Sequence, residues 1–182
     1  TSIVFPNGAV NVGRGRGAVN PDEPNLENTV VINEDNIPIE YRGRRGSISQ
    51  NRTIPQIRSF IESGGTVVTV GSSWSLSNAL GINVRDGLID PATGRRLVRD
   101  KFYVPGSVLQ TKVDNSLDLS AGLKEIANVF FESSPSFLLP NNYQANGIEK
   151  VAWYDSERPL LSGWAWGQKA LKDTVAAFTA KI

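Results

Sequence analysis

The stretch Gly64–Leu80, GGTVVTVGSSWSLSNAL, decides the fold expected for this chain. Its β-branched run Thr66–Val70 predicts a strand, and the small polar residues Gly71–Ser75 predict a tight turn that leads into a helix. Thr66–Val70 is apolar on both faces except for threonine, which is typical of a central parallel strand covered on both sides. In α/β proteins, a strand–turn–helix junction of this kind often carries a nucleophile or an anion site.

The segments on either side extend this unit. Thr53 is a candidate N-cap, Pro55 fits the first turn of a helix, and apolar residues follow at helical spacing until Gly64. Ser73–Leu80 predicts a second helix. The order helix, strand, helix predicts an α/β fold with three layers and a mostly parallel sheet. We expect its core to contain Ile57, Phe60, Val67, Val68, Val70 and Leu80.

The remainder of the chain divides into two parts. Residues 1–52 are rich in Gly, Asn, Pro and charge, and they predict an irregular N-terminal extension or connector with short β-prone pieces at Ser2–Phe5 and Thr29–Ile32. Residues 53–182 are expected to form the α/β domain. Beyond Leu80 we expect β excursions and further strands at Phe102–Val104, Val108–Val113, Ala127–Phe131, Ser136–Leu139, Lys150–Tyr154 and Thr174–Ala180.

Composition limits the classes of partner. The 182 residues carry 19 basic and 18 acidic side chains, so the net charge of +1 predicts neither a nucleic-acid nor a membrane partner. No apolar run approaches the roughly 20 residues that span a bilayer. The chain has no Met, which predicts a piece of a longer polypeptide, and it has no His or Cys. Since the carboxylates do not follow calcium-loop spacing, we expect no metal ligand and no cofactor in this chain.

Ser73 stands where the predicted turn would expose a nucleophile. A catalytic serine needs a base, usually His, to take its proton, and this chain has none. The Ser-x-x-Lys spacing of lysine-assisted serine enzymes is also missing at this site. We therefore expect no catalytic residue here and predict that Ser73 caps the following helix. An independent hydrolase that uses Ser73 or a pair of carboxylates stays as an alternative.

Two further groups of residues are candidates for binding. Arg42, Arg44 and Arg45 form a basic cluster that could hold a carboxylate or phosphate, although a solvated loop is the simpler interpretation. Trp164 and Trp166 belong to a late aromatic group that also contains Trp153 and Tyr154. Large aromatic side chains are more often buried than exposed for binding, which favours packing. The alternative is a carbohydrate- or peptide-binding module whose groove is lined by these tryptophans.

From Tyr41 onward the chain carries a set of short motifs. They are YRGRRG at 41–46, the stretch 57–66 with the pattern IR-x-FIE-x-GGT, GSS at 71–73, ALG at 79–81, FY-x-PGS at 102–107, FF-x-S-x-P-x-F at 130–137 and PLLSGW at 159–164. Together they resemble the C-terminal region of large bacterial zinc carboxypeptidases. The resemblance implies a class I glutamine-amidotransferase-like, flavodoxin-like fold, in which Ser73 replaces the usual catalytic Cys.

The resemblance also implies a parent protein. Its zinc would lie in a separate peptidase domain that uses His and Glu ligands, and the protein would be secreted or periplasmic. This chain would then be a non-catalytic accessory domain of a metallocarboxypeptidase, with the peptidase domain of the same polypeptide as its partner. In that family another strand and a helix follow the last strand. The fold is therefore expected to be truncated after Thr174–Ala180, and an uncovered sheet edge there would allow homo-oligomers.

Overall fold

A computed structural model describes residues 1–10, 35, 37–42 and 48–182. Its strands are β1 (Ser2–Phe5), β2 (Thr66–Thr69), β3 (Arg85–Asp86), β4 (Ser107–Val113), β5 (Ile126–Phe131), β6 (Phe137–Leu138), β7 (Ile148–Trp153), β8 (Leu160–Ser162) and β9 (Val175–Ala180). The α-helices are α1 (Thr53–Glu62) and α2 (Ser75–Ala79). Short 3-10 helices lie at Ile39–Tyr41, Gly71–Trp74, Asp118–Ser120 and Gln168–Leu171.

The described strands form two sheets. The larger has seven strands in the order β3-β6-β9-β7-β4-β5, with β8 also paired to β4, and every pair in it is antiparallel. The smaller consists of β1 and β2, which are parallel. The first pairs Ser2 with Thr66, and the last pairs Phe5 with Thr69.

The prediction of a three-layer, mostly parallel, flavodoxin-like sheet is therefore wrong. Parallel neighbours need long crossover connections, which are usually helices. Residues 80–182 are all described and contain no α-helix, so consecutive strands there return by turns and loops. The burial of β4 alternates strictly between inward Leu109, Thr111 and Val113 and the outward residues Gln110 and Lys112, which is typical of an antiparallel sheet with one solvated face.

Three clusters of buried apolar side chains hold these elements together. One lies under the large sheet around Leu109, Phe131 and Leu171. A second joins α1 and α2 to the small sheet through Ile57, Leu76 and Leu80. A third lies between them and contains Val84, Phe137, Ile148 and Val175. In this third cluster, Phe137 makes edge-on ring contacts with both Trp74 and Phe178.

The predicted core is confirmed only in part. Ile57 and Leu80 are buried, whereas Phe60 and Val67 are half-buried. Val68 and Val70 are 43% and 49% exposed, so their predicted burial is wrong. The reason is that, within the described part of the chain, β2 pairs only with β1, and only its Val67 face packs against the cluster formed with α1 and α2.

Several local predictions are confirmed. Helix α1 begins at Thr53 and gives way to a turn at Gly64, whose φ of 90° favours glycine. The prediction that Thr53 is the N-cap of this helix is wrong, because the N-cap is Arg52 and the Thr53 hydroxyl instead accepts a hydrogen bond from Ser49 N (3.1 Å). The β-prone segment Thr29–Ile32 lies outside the described residues. Strand β9 pairs with β7 along its length and meets β6 only at Val175, so the rest of its second edge has no strand partner among the described residues.

The two faces of the structure predict different responses to truncation of an apolar side chain. Replacing the fully buried Leu109 by alanine should lower the free energy of unfolding by about 2–5 kcal/mol, because a core cavity remains. Val68→Ala is the matched control and should cost about 0.5 kcal/mol or less, since its side chain is already half in solvent. Urea denaturation measures both values. Equal losses for the two variants would contradict the one-sided burial of β2.

Candidate functional site

The strand-to-helix junction does not form a reactive centre. Ser73 is 0% exposed and lies in the 3-10 turn Gly71–Trp74. Its hydroxyl donates to Pro6 O (2.5 Å) and accepts from Val10 N (3.1 Å). Its described partners are thus main-chain atoms of the segment after β1, and no substrate can reach it from solvent.

The prediction that Ser73 caps the following helix is wrong. Helix α2 begins at Ser75 and has no side-chain cap, because the Ser73 hydroxyl is already engaged by the segment after β1. Ser72 makes a parallel attachment: its Oγ accepts from Gly8 N (3.0 Å) and donates to Asn7 Oδ1 (3.0 Å). The serine pair therefore fixes the N-terminal segment onto the turn, which is a structural role.

Loss of the Ser73 hydroxyl should be costly because Ser73 itself and one of its partners, Val10, are buried. Ser73→Ala leaves Pro6 O and Val10 N without this hydrogen bond, so we expect the free energy of unfolding to fall by about 1–3 kcal/mol. Ser72→Ala is the control and should cost less, since Ser72 is exposed and water can replace its hydroxyl. Chemical denaturation measures both. Labelling of the native protein at Ser73 by a fluorophosphonate probe would contradict the structural role.

The basic cluster predicted from sequence is described only at Arg42. Arg44 and Arg45 lie outside the described residues. The exposed Arg42 side chain donates from Nε to Ile37 O (2.9 Å) and from a terminal nitrogen to Asp35 O (3.2 Å). These contacts brace the local turn around Ile39–Tyr41.

The late aromatic residues divide into two groups. Tyr154 is buried in the core under the large sheet, and this burial raises the pKa of its hydroxyl above the ordinary tyrosine range. Trp153 is half-buried, with the Lys150 ammonium 4.0 Å from its ring centre. Trp164 and Trp166, by contrast, are 61% and 57% exposed. The expectation of packing is therefore wrong for these two tryptophans.

The backbone explains why both indoles point outward. Ala165, between them, packs against the core under the large sheet. Since successive side chains of an extended segment point to opposite faces, Trp164 and Trp166 share the solvent side. Trp166 pairs with Tyr103 through two main-chain hydrogen bonds of 2.8 and 3.0 Å. Directly opposed side chains of an antiparallel pair lie on one face, so Tyr103, 38% exposed, lies beside Trp166.

We call Tyr103, Trp164 and Trp166 the aromatic platform, and its backbone is held rigidly. The Ser107 hydroxyl donates to Trp164 O (2.7 Å) and accepts from Trp164 N (3.0 Å). The indole Nε1 of Trp166 donates to Asp100 O (2.8 Å). Gly167, at a φ of 68°, passes so close to Lys101 O that a Cβ atom would collide with the carbonyl. The platform is therefore pre-formed on a braced turn.

A cation borders the platform. The Arg99 guanidinium carbon lies 5.4 Å from the centre of the Tyr103 ring, within range of a cation–π interaction. Sequence analysis identified the two tryptophans but missed Arg99, Tyr103 and Ser107. The predicted strand Phe102–Val104 is absent as a strand and is reduced to a single bridge at Tyr103, and nothing in the sequence shows that this residue pairs with Trp166.

Besides the aromatic platform, the structure contains a polar depression. It has a volume of about 450 Å³ and is lined by residues that include Asp114, Tyr143, Glu149, Lys150 and Lys181. Hydrogen bonds from the Ser116 side chain and backbone lower the pKa of Asp114. Within residues 1–10, 35, 37–42 and 48–182, no group of three or more His, Cys, Asp or Glu side chains is placed to hold a metal ion. No helix in those ranges is long and apolar enough to cross a membrane.

Comparison with known proteins adds no assignment, because no protein-family model, curated protein or solved structure matches this chain. The resemblance to zinc carboxypeptidases therefore stays a prediction from sequence.

The brace under Trp164 can be tested directly. Ser107→Ala removes both hydrogen bonds to the Trp164 main chain, so the Trp164 amide proton should exchange with solvent at least about tenfold faster, which corresponds to a local loss of about 1.4 kcal/mol. Ser162→Ala, an exposed serine on the adjacent strand β8, is the control and should leave the rate unchanged. Amide exchange followed by NMR measures both. An unchanged rate in Ser107→Ala would show that this serine does not hold the platform.

Proposed function

We propose that this chain is a non-catalytic binding module whose aromatic platform holds a carbohydrate chain. One observation carries the proposal: Trp164 and Trp166 present their indoles to solvent side by side on a braced backbone, with Tyr103 beside them. Exposed, clustered aromatic side chains are unusual on a soluble surface unless they serve an interaction.

The chemistry of the platform suits sugars. The face of an aromatic ring carries partial negative charge, and the C–H groups on one side of a pyranose carry partial positive charge, so the two stack. The Trp166 Nε1–H is already bonded to Asp100 O, which leaves the ring face as the binding element. The Arg99 guanidinium at the border supplies donors for sugar hydroxyl or carboxylate oxygens. Rigid rings lose little conformational entropy when they bind.

A binding role also fits the set of potentially reactive side chains in this chain. The chain has no His and no Cys, and the serine at the strand–helix junction is enclosed by main-chain partners. Stacking on a platform needs neither a general base nor an activated nucleophile. The proposal therefore assigns the reaction to another part of the protein.

The proposal for a parent enzyme is supported by the resemblance to zinc carboxypeptidases in the motifs at 41–46, 57–66, 102–107 and 159–164. We propose that the module serves a secreted or periplasmic bacterial zinc carboxypeptidase, whose zinc is held in the peptidase domain of the same polypeptide. Binding to wall glycan would keep that peptidase close to wall-linked peptides. The amidotransferase-like fold forms no part of this proposal, because the large sheet is antiparallel.

The proposal predicts binding to polysaccharide that depends on the two tryptophans. Purified peptidoglycan sacculi, chitin and cellulose are each incubated with the protein, and the bound fraction is measured after sedimentation. Trp164→Ala and Trp166→Ala should each weaken binding by about tenfold, since a stacked ring contributes on the order of 1 kcal/mol. The double variant should not bind detectably.

Phe130→Ala is the matched control, because Phe130 is an equally exposed ring that lies outside the platform, on strand β5. It should bind as the unmodified protein does. If none of the three polysaccharides binds, or if the tryptophan variants bind as well as Phe130→Ala does, the platform is not a carbohydrate site.

A further inference from the structure

A groove of about 600 Å³ runs between the two sheets. One wall is strand β2, Thr66–Thr69, and the other is Ala176–Ala180 of strand β9. Apolar side chains that include Leu76, Leu80 and Phe137 form its floor. Both walls are therefore strands.

Along the groove, each wall presents a backbone edge that has no strand partner among the described residues. On β2, the N–H groups of Thr66 and Val70 donate to Thr1 O and Phe5 O, towards β1. Since N–H groups alternate between the two sides of a strand, those of Val67 and Thr69 point towards the groove. Among the described residues, β2 has no strand partner on that side.

The same holds on the opposite wall. Lys181 N donates to the carbonyl oxygen of Gly147, which immediately precedes β7. The register then pairs Ala180 with Ile148 and Phe178 with Lys150. Alternation along β9 turns the N–H groups of Ala180 and Phe178 away from β7 and towards the groove. Strand β6 reaches this edge only at Val175.

The charge of the side chains that line the groove limits which kind of segment it can bind. Lys181, at the end of β9, is the one charged side chain among the described residues that line the groove. An occupant must therefore be uncharged along the apolar floor, and a carboxylate at the end near Lys181 would complement the ammonium group. A second folded copy does not meet this need, because the strands at the ends of its described sheets, β1, β2, β3 and β5, are each already paired along one edge. The groove requires a strand that is free along both edges.

We propose that the groove binds an extended segment of a partner polypeptide, apolar at alternate residues and with a carboxylate opposite Lys181. The segment pairs with β2 on one side and β9 on the other, and so joins the two sheets into one. Main-chain hydrogen bonds to both edges supply affinity, and the floor selects apolar side chains, as in other cases of strand addition. This site is separate from the aromatic platform and does not depend on the function proposed for it.

The test uses a synthetic peptide of about seven residues, the length of a typical strand, in which threonine and valine alternate. Aspartate is placed at one end or the other, and a fluorophore reports binding by anisotropy. We expect saturable binding of at least one of the two peptides, with slowed exchange of the Val67, Thr69, Phe178 and Ala180 amide protons. The control peptide has alternate main-chain nitrogens methylated, which removes strand pairing, and it should not bind.

Two protein variants and one control variant test the residues of the groove directly. Lys181→Glu should weaken binding of the aspartate peptide by about tenfold and favour a peptide that carries lysine instead. Lys172→Glu, an exposed lysine that does not line the groove, is the matched control and should change neither. Ala180→Pro removes one N–H that faces the groove; it should abolish binding while thermal unfolding shows that the protein remains folded.

Several outcomes would overturn the proposal. Equal binding of the methylated peptide would mean that strand pairing is not involved. Self-association of the chain without peptide, detected by sedimentation and lost in Ala180→Pro, would assign the groove to a second copy. Absence of binding by every peptide would leave no strand acceptor. Because Trp164→Ala should bind the peptide normally, failure here is distinguishable from failure of the carbohydrate proposal.

Discussion

The one-sided burial of strand β4 is the constraint on which the rest of the structure depends. Ser107, Leu109, Thr111 and Val113 all point into the core, and the alternate residues do not. The strand pairs with β5, β7 and β8, so three neighbours take their position from it. A one-residue slip of β4 would turn its apolar residues to solvent, and this cost fixes the register of the whole sheet.

The aromatic platform is a consequence of that register. Ser107 is the first residue of β4, and its buried hydroxyl holds the main chain of Trp164 on both its donor and its acceptor. The inward placement of Ala165 then determines that its two neighbours face out. Strand pairing and the packing of Ala165 beneath them thus determine that the two tryptophans are exposed.

Local patterns predicted local structure well. The periodic helix from Thr53, the β-branched run at Thr66 and the final strand are all present close to their predicted bounds. The error lay in what those elements pair with. The β-branched run suited a central parallel strand, but nothing in its own residues reveals that β1 is its sole partner among the described strands, and this left Val68 and Val70 exposed. Likewise, serine is a residue type that often caps helices, which led to the wrong prediction for Ser73. Only its hydrogen bonds to the distant Pro6 and Val10 show that it holds the N-terminal segment. The pairing of Tyr103 with Trp166 spans most of the second half of the chain and leaves no local signal.

The arrangement of the two unpaired strand edges affects how the protein can associate with itself. An edge that faces open solvent can pair with the edge of any other sheet, and this is how many β proteins begin to form fibres. Here the edges of β2 and β9 line the opposite walls of one groove. In the binding mode proposed above, a single partner strand pairs with both edges at once, so neither edge is left to pair with the sheet of another molecule. Occupancy of the groove would then protect the protein from edge-to-edge association.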